Sequence, residues 1–115
     1  MSNKTIAIQD VNIFKSLYEI ELLNEPNQTF TLYLGQDIFQ IDLRTYVNDN
    51  TRITIKANNE IITNNSPVSV SLVNLNFFTN FKNGIFFFWQ NPNVMIENPN
   101  YLNFGKDLKL YYGTI

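Results

Sequence analysis

Residues 29–44 read TFTLYLGQDIFQIDLR and decide the fold class, because apolar and polar side chains alternate along almost the whole stretch. The apolar members of the alternation are Phe30, Leu32, Leu34, Phe39, Ile41 and Leu43. A period of two places alternate side chains on opposite faces of a β-strand. Two such runs around a three-residue loop that contains glycine, residues 35–37, predict a β-hairpin.

The same alternation continues through residues 52–57, which read RITIKA. The pair Asn58-Asn59 follows, and asparagine tolerates the positive φ that a tight turn requires. We therefore predict an antiparallel meander of three strands, with residues 60–63 as a fourth.

The rest of the chain is also mostly strand-like. Residues 64–67 (NNSP) have the composition of a loop, and the alternation at 68–72 predicts a further strand. Residues 73–82 do not alternate, and their apolar spacing allows a short helix there. Two last strands are predicted at 85–90 and 106–112. The expected fold is all-β: a small single-domain antiparallel sandwich or barrel of about seven strands.

Composition supports the same fold class. The 115 residues suit one domain and include 19 Asn, 13 Ile, ten Phe and six Tyr, but only two Ala. Alanine is the best helix former, whereas isoleucine and the aromatic residues favour strands and asparagine favours turns.

The sequence contains no Cys and no His, which are the residues that most often supply nucleophiles, bases and metal ligands. Glu19 and Glu21 form a carboxylate pair on one predicted strand face, but such charges are usually a solvated side rather than a catalytic pair. We therefore expect no enzyme, cofactor or metal site. Eight Lys plus Arg against ten Asp plus Glu, with no basic block, also argue against nucleic-acid and membrane partners.

Residues 1–17 lack a clean period and are assigned separately from the β-domain at 18–115. They are interpreted either as an edge strand or arm on the protein's own surface, or as an arm that becomes ordered only against a partner.

Aromatic side chains are concentrated in the second half of the sequence. In a strand, Phe86 and Phe88 point to one face while Phe87 and Trp89 point to the other, so both faces are apolar. The second face is covered either within the domain or by another chain. The candidate partner interface consists of Phe77, Phe78, Phe81, Phe87, Trp89 and Tyr111.

Three segments carry a family resemblance. Residues 18–35 (YEIELLNEPNQTFTLYLG) contain a short Ile-x-Leu strand, a Pro-Asn-Gln-x-Phe step and the first hairpin; residues 72–78 follow the middle strands; and residues 103–112 contain a Gly-then-Leu-x-Tyr ending. Over residues 18–112 the chain resembles the baseplate plug proteins of contractile-tailed bacteriophages. The motif positions are Pro26, Asn27, Gln28, Phe30, Gly105, Leu110 and Tyr112.

This resemblance implies a structural virion component, which sits in the baseplate hub and closes the tail tube until contraction. It implies the hub and other tail-tip proteins as partners, several copies around a threefold hub, and assembly in the host bacterial cytoplasm. The residues alone leave another function open: a small β-domain that binds a ligand such as carbohydrate, with exposed aromatic rings as stacking platforms.

Overall fold

A computed structural model describes residues 5–8, 14–70, 75–76 and 81–114. Eight strands occur there: β1 (Thr5–Ile8), β2 (Ser16–Ile20), β3 (Gln28–Leu34), β4 (Asp37–Tyr46), β5 (Asn50–Ala57), β6 (Glu60–Pro67), β7 (Gly84–Gln90) and β8 (Leu108–Thr114). Short 3-10 turns form at Val47–Asp49 and Tyr101–Asn103. Within the described ranges, no helix has the length and apolarity needed to cross a membrane.

The strands form two four-stranded sheets, and every pairing between strands is antiparallel. One sheet has the order β1-β2-β8-β7 and the other has the order β3-β4-β5-β6. The all-β prediction is confirmed, and the architecture is the sandwich, because the sheets do not close into a barrel.

The β3-β4-β5-β6 sheet is the predicted meander. The turn between β3 and β4 has two residues, Gly35 (φ of 63°) and Gln36, and not the predicted three, because Asp37 already pairs with Leu34 as the first residue of β4. Asn58 and Asn59 both have positive φ, 52° and 72°, as a type I′ turn between β5 and β6 requires. Side chains of β3 are alternately buried and exposed, so the apolar pattern fixes the register.

The sequence prediction was wrong for residues 64–70. Residues 64–67 continue β6 instead of forming a loop, and 68–70 are not a strand. The reason is an irregular pairing with β5, in which side chains replace part of the backbone ladder. Asn65 has φ of 49°, its N–H donates to Thr54 Oγ1 (3.0 Å), and its carbonyl accepts from Arg52 Nη1 (2.9 Å).

The short helix allowed at 73–82 lies largely outside the described residues, and positions 75–76 form a turn. This turn covers part of the β7 edge. Asn76 is buried, and its side-chain amide acts like a neighbouring strand: Oδ1 accepts from Phe86 N–H and Nδ2 donates to the Gly84 carbonyl, both at 3.0 Å. The N–H of Leu75 donates to the Phe86 carbonyl (2.9 Å).

The core lies between the two sheets and centres on Phe39 of β4. Its ring centroid lies 5.0 Å from that of Phe86, 5.0 Å from that of Tyr112 and 5.6 Å from that of Phe81. Aromatic pairs of this kind contribute about 0.5–1.5 kcal/mol beyond their buried area. The two sheets are therefore joined through one aromatic cluster.

The Pro-Asn-Gln motif fixes the connection from β2 to β3. Gln28 is buried, and its amide pairs with the backbone of Leu23: Nε2 donates to the carbonyl (2.8 Å) and Oε1 accepts from the N–H (3.0 Å). Asn27 Oδ1 accepts from the N–H of Thr45 (3.1 Å), and the Pro26 carbonyl accepts from Thr45 Oγ1 (2.7 Å). All three motif residues thus have structural contacts.

The remaining motif positions are also structural. Phe30, Leu110 and Tyr112 belong to the buried core. Gly105 has φ of 92°, a conformation that disfavours a side chain, and its N–H donates to the Leu108 carbonyl (3.0 Å) at the entry to β8.

Candidate interaction surface

The outer side of the β1-β2-β8-β7 sheet carries the aromatic side chains that do not enter the core. Phe86 and Phe88 of β7 are fully buried, whereas Phe87 and Trp89 point outward and are half-buried. Tyr111 of β8 lies directly opposite Phe87 and has intermediate burial. The structure therefore brings three of the six predicted interface residues together.

These rings contact one another and one further ring. Phe87 stacks against Tyr111 (centroids 5.7 Å apart) and against Phe14 (also 5.7 Å), while Trp89 meets Tyr111 edge-on at 6.5 Å. We call the set Phe14, Phe87, Trp89 and Tyr111 the aromatic face.

Gly113 makes room for the Phe14 ring. A Cβ atom at position 113 would overlap this ring, so the ring lies directly over the glycine backbone. Gly113 pairs with Leu17 of β2, and Leu17 is buried although the register places it on the outer side. Part of the outer side is thus covered by the chain itself.

One charged pair crosses the aromatic face. Lys109 Nζ lies 3.5 Å from Glu19 Oε1 and 5.8 Å from the centroid of the Trp89 ring, which is within cation–π range. Burial raises the pKa of Tyr111, and the neighbouring Glu19 carboxylate raises it further, so the phenol stays neutral. Glu19, half of the carboxylate pair considered above, is thus in an ion pair.

The structure places the other predicted interface residues elsewhere. Phe81 packs edge-on against Phe39 at the margin of the core, on the inner side of the sandwich. Phe77 and Phe78 lie outside the described residues.

Sequence reasoning missed Phe14 and the Glu19–Lys109 pair. Phe14 lies in a segment without periodicity, so no pattern assigned it to a face. Gly113 could have suggested it, because a glycine in a strand often marks the close approach of another group.

The described residues carry few features of a catalytic or ligand-binding site. No group of three Asp or Glu side chains within them could hold a metal ion. A cavity of about 400 Å³ lies at one end of the sandwich, lined by the loop at 95–103, including the exposed Met95 and Leu102. Asparagine and apolar side chains dominate its lining, with Glu97 as the acidic group.

The family model described as "Cyanophage baseplate Pam3 plug gp18" matches residues 17–115. No curated protein matches the sequence. The matched range takes in most of β2 and all of β3 to β8, and therefore both sheets and the aromatic core, whereas Phe14 lies just outside it. Because the match covers most of the chain, the protein belongs to the cyanophage baseplate plug family and is a structural component of the phage tail baseplate.

Proposed function

We propose that this protein sits at the baseplate hub and closes the tail tube until the sheath contracts. The observation that carries the proposal is the family match, which extends across the whole sandwich from residue 17 to 115. A plug acts by steric blockage, so it needs a rigid folded block and a surface that holds the block in place. The proposal involves no covalent step and no cofactor.

The aromatic face is the proposed holding surface. Full burial of a large apolar side chain contributes about 1.5–3 kcal/mol, and Phe87, Trp89 and Tyr111 are each only partly buried in the isolated chain. A hub or tail-tip protein that covered these rings would gain much of the remainder. With a threefold hub, symmetry would place several copies around the axis. Assembly would take place in the host bacterial cytoplasm.

The docking test uses substitutions on the two sides of one strand. Trp89→Ser and Phe87→Ser should lower the number of plug copies per particle at least about tenfold, because each removes outward apolar area that the partner would bury. Phe86→Ser, directed into the core, should instead lower the yield of folded protein. Tyr33→Ser is the matched control, since this ring is 73% exposed and lies outside the aromatic face; its loss should leave the yield of folded protein unchanged and lower the copy number far less than Trp89→Ser.

Copies per particle are counted by quantitative mass spectrometry, and the plug is located by electron microscopy of intact tails. Density of this chain inside the hub lumen is the expected result, with an open lumen in Trp89→Ser particles. Density of this chain outside the lumen would exclude tube closure, and equal losses of folding for Phe87→Ser and Phe86→Ser would assign Phe87 to the core.

The alternative of carbohydrate binding requires an open ring face for the sugar. On the aromatic face, the Phe87 ring already stacks with two other rings, and Trp89 contacts both Tyr111 and Lys109, whereas Tyr33 on the other sheet is 73% exposed. A glycan array with the isolated chain separates the two functions: the plug proposal predicts no bound glycan.

A further inference from the structure

The outer side of the β3-β4-β5-β6 sheet carries a cluster of positive charge. Arg44 of β4 and Arg52 of β5 lie directly opposite each other, and they are the two arginines of the sequence. Their neighbours Leu43 and Ile53 are fully buried, so both arginine side chains point outward. Lys56 lies on the same side of β5, four residues from Arg52. We call Arg44, Arg52 and Lys56 the basic face.

Charge on this side is not balanced within the sheet. Among the described residues of β3 to β5, Asp42 is the one acidic residue that the strand register directs outward. Glu60 is not counted with this side, because it lies at the β5-β6 turn, opposite the inward Ala57. Three cations and one carboxylate give the face a formal charge of +2, on a chain whose net charge is −2.

This arrangement has an energetic cost in the isolated chain. Like charges directly opposite on neighbouring strands destabilise a sheet. The available compensation is limited: Arg44 Nε donates to the two Asp42 oxygens (3.0 and 3.2 Å), and Arg52 Nη1 donates to the Asn65 carbonyl (2.9 Å). Among the described residues, these bonds leave the Nη groups of Arg44 without a protein acceptor, and this side chain is 53% exposed.

The face is slightly concave and lined by polar groups. A cavity of about 240 Å³ lies between Arg44 and Lys56. Its lining consists of Thr29, Gln40, Asp42, Arg44, Thr54 and Lys56. From Arg52 to Lys56 the cations extend over about 14 Å along β5, at the usual rise per residue.

We propose that the basic face docks an acidic surface of a neighbouring protein, with carboxylates paired to Arg44, Arg52 and Lys56. The guanidinium fork matches a carboxylate bidentately, and two adjacent arginines with unused donors suit two such groups. Docking would also relieve the repulsion between the arginines. The proposal goes beyond tube closure and does not require it, because it concerns the opposite face and the chemistry of the partner.

A protein partner fits this face better than nucleic acid. Three cations would neutralise few phosphates, and affinity for DNA rises with the number neutralised.

Binding of the purified chain to immobilised poly-L-glutamate tests the proposal, with a DNA duplex of equal charge as the second probe. At about 20 mM NaCl the wild type should bind poly-L-glutamate more tightly than DNA, and at about 500 mM NaCl binding should be lost through screening. The double variant Arg44→Gln/Arg52→Gln should bind poly-L-glutamate at least about tenfold more weakly.

Lys82→Gln/Lys106→Gln is the matched control, since it removes the same charge from two exposed lysines elsewhere and should bind within about twofold of the wild type. Should the arginine double variant fold poorly, Arg44→Lys/Arg52→Lys replaces it: this variant keeps the charge, lacks the fork and should bind at intermediate strength. Equal losses in the control, tighter binding to DNA, or no binding by the wild type would overturn the proposal. None of these results bears on where the plug sits in the tail.

Discussion

The two outer sides of the sandwich differ in chemistry although they belong to one small fold. On the aromatic face, rings stack on one another, Phe14 covers part of the sheet, and the Glu19–Lys109 pair is mostly shielded from solvent. On the other outer side, the basic face is charged and Arg44 is mostly exposed, although Tyr33, Ile38 and Ile61 are also exposed there. The inner sides of the same strands form a single apolar core.

The two proposed docking surfaces would hold the plug in two different ways. Burial of apolar area gives an attachment that depends little on salt, whereas exposed charges give one that weakens as ionic strength rises. A plug that closes the tube until contraction, as proposed, would use the first for strength and the second for orientation. The two faces can act together only if one cooperative folding unit carries both of them.

The largest effect is expected from Phe39→Ala. Phe39 lies on β4 and contacts Phe86 and Tyr112 of the opposite sheet, so its truncation leaves a cavity between the sheets. We expect a loss of about 3–5 kcal/mol in the free energy of unfolding, as for other buried phenylalanines. The measurement is urea denaturation followed by circular dichroism and by fluorescence of Trp89, the one tryptophan of the sequence.

Ile38→Ala is the control for this substitution, because Ile38 is adjacent but 47% exposed and should cost under about 1 kcal/mol. Both probes should report the same transition in the wild type and in Phe39→Ala. A Trp89 transition at a different urea concentration would show that the aromatic face unfolds separately from the rest of the sandwich.

A smaller change in the free energy of unfolding is expected at alkaline pH from the two tyrosines on opposite sides of β8, Tyr111 and Tyr112. Burial, then the Asp37 carboxylate, then Tyr18 raise the pKa of Tyr112 to about 12, against 10.0 ordinarily. Between pH 10 and 12 the unfolded chain loses this proton while the folded chain keeps it, so stability is full below pH 10 and falls as pH rises towards 12. The full loss, reached above pH 12, should be at most about 3 kcal/mol, and about half of it should appear by pH 11.

Tyr112→Phe should remove this part of the alkaline loss when unfolding is measured at pH 9, 10 and 11. Tyr111→Phe is the comparison on the outer side, where the pKa is raised by burial and by Glu19. Its effect should be smaller, because Tyr111 is less buried than Tyr112. A larger effect from Tyr111→Phe would mean that the aromatic face is closed from solvent more fully than the core side.

More of the basic face than of the aromatic face could be predicted from the sequence. Strands β3 to β5 alternate strictly, so the outward position of Arg44 and Arg52 followed from the period of two. The opposition of Arg44 and Arg52 depends on the pairing of β4 with β5, which the turn at Val47–Asp49 sets with positive φ at Asn48 and Asp49.

Contacts between residues far apart in the sequence could not be predicted from the alternation of apolar and polar residues. The contact of Phe14 with Phe87 joins positions 73 residues apart, and no local pattern encodes it. The continuation of β6 to Pro67 was hidden because its backbone bonds are replaced by the Thr54 hydroxyl and the Arg52 guanidinium, which a rule based on alternation does not detect. The Pro26-Asn27-Gln28 step was recognised as a motif, but the pairing of Gln28 with Leu23 required the structure.

The smallest effects are expected from one carboxylate on each face. Asp42→Asn and Glu19→Gln each remove one negative charge and one ion pair, at 3.0 Å and 3.5 Å respectively. Partly exposed pairs contribute about 0–1 kcal/mol, so neither change should alter the free energy of unfolding by more than about 1 kcal/mol.

Their effects on binding should nevertheless differ. Asp42→Asn raises the charge of the basic face from +2 to +3 and should strengthen binding to poly-L-glutamate about threefold at low salt, whereas Glu19→Gln should leave it unchanged. Equal strengthening by both variants would show that the net charge of the chain governs binding, and the two faces would then not differ in the partner that they select.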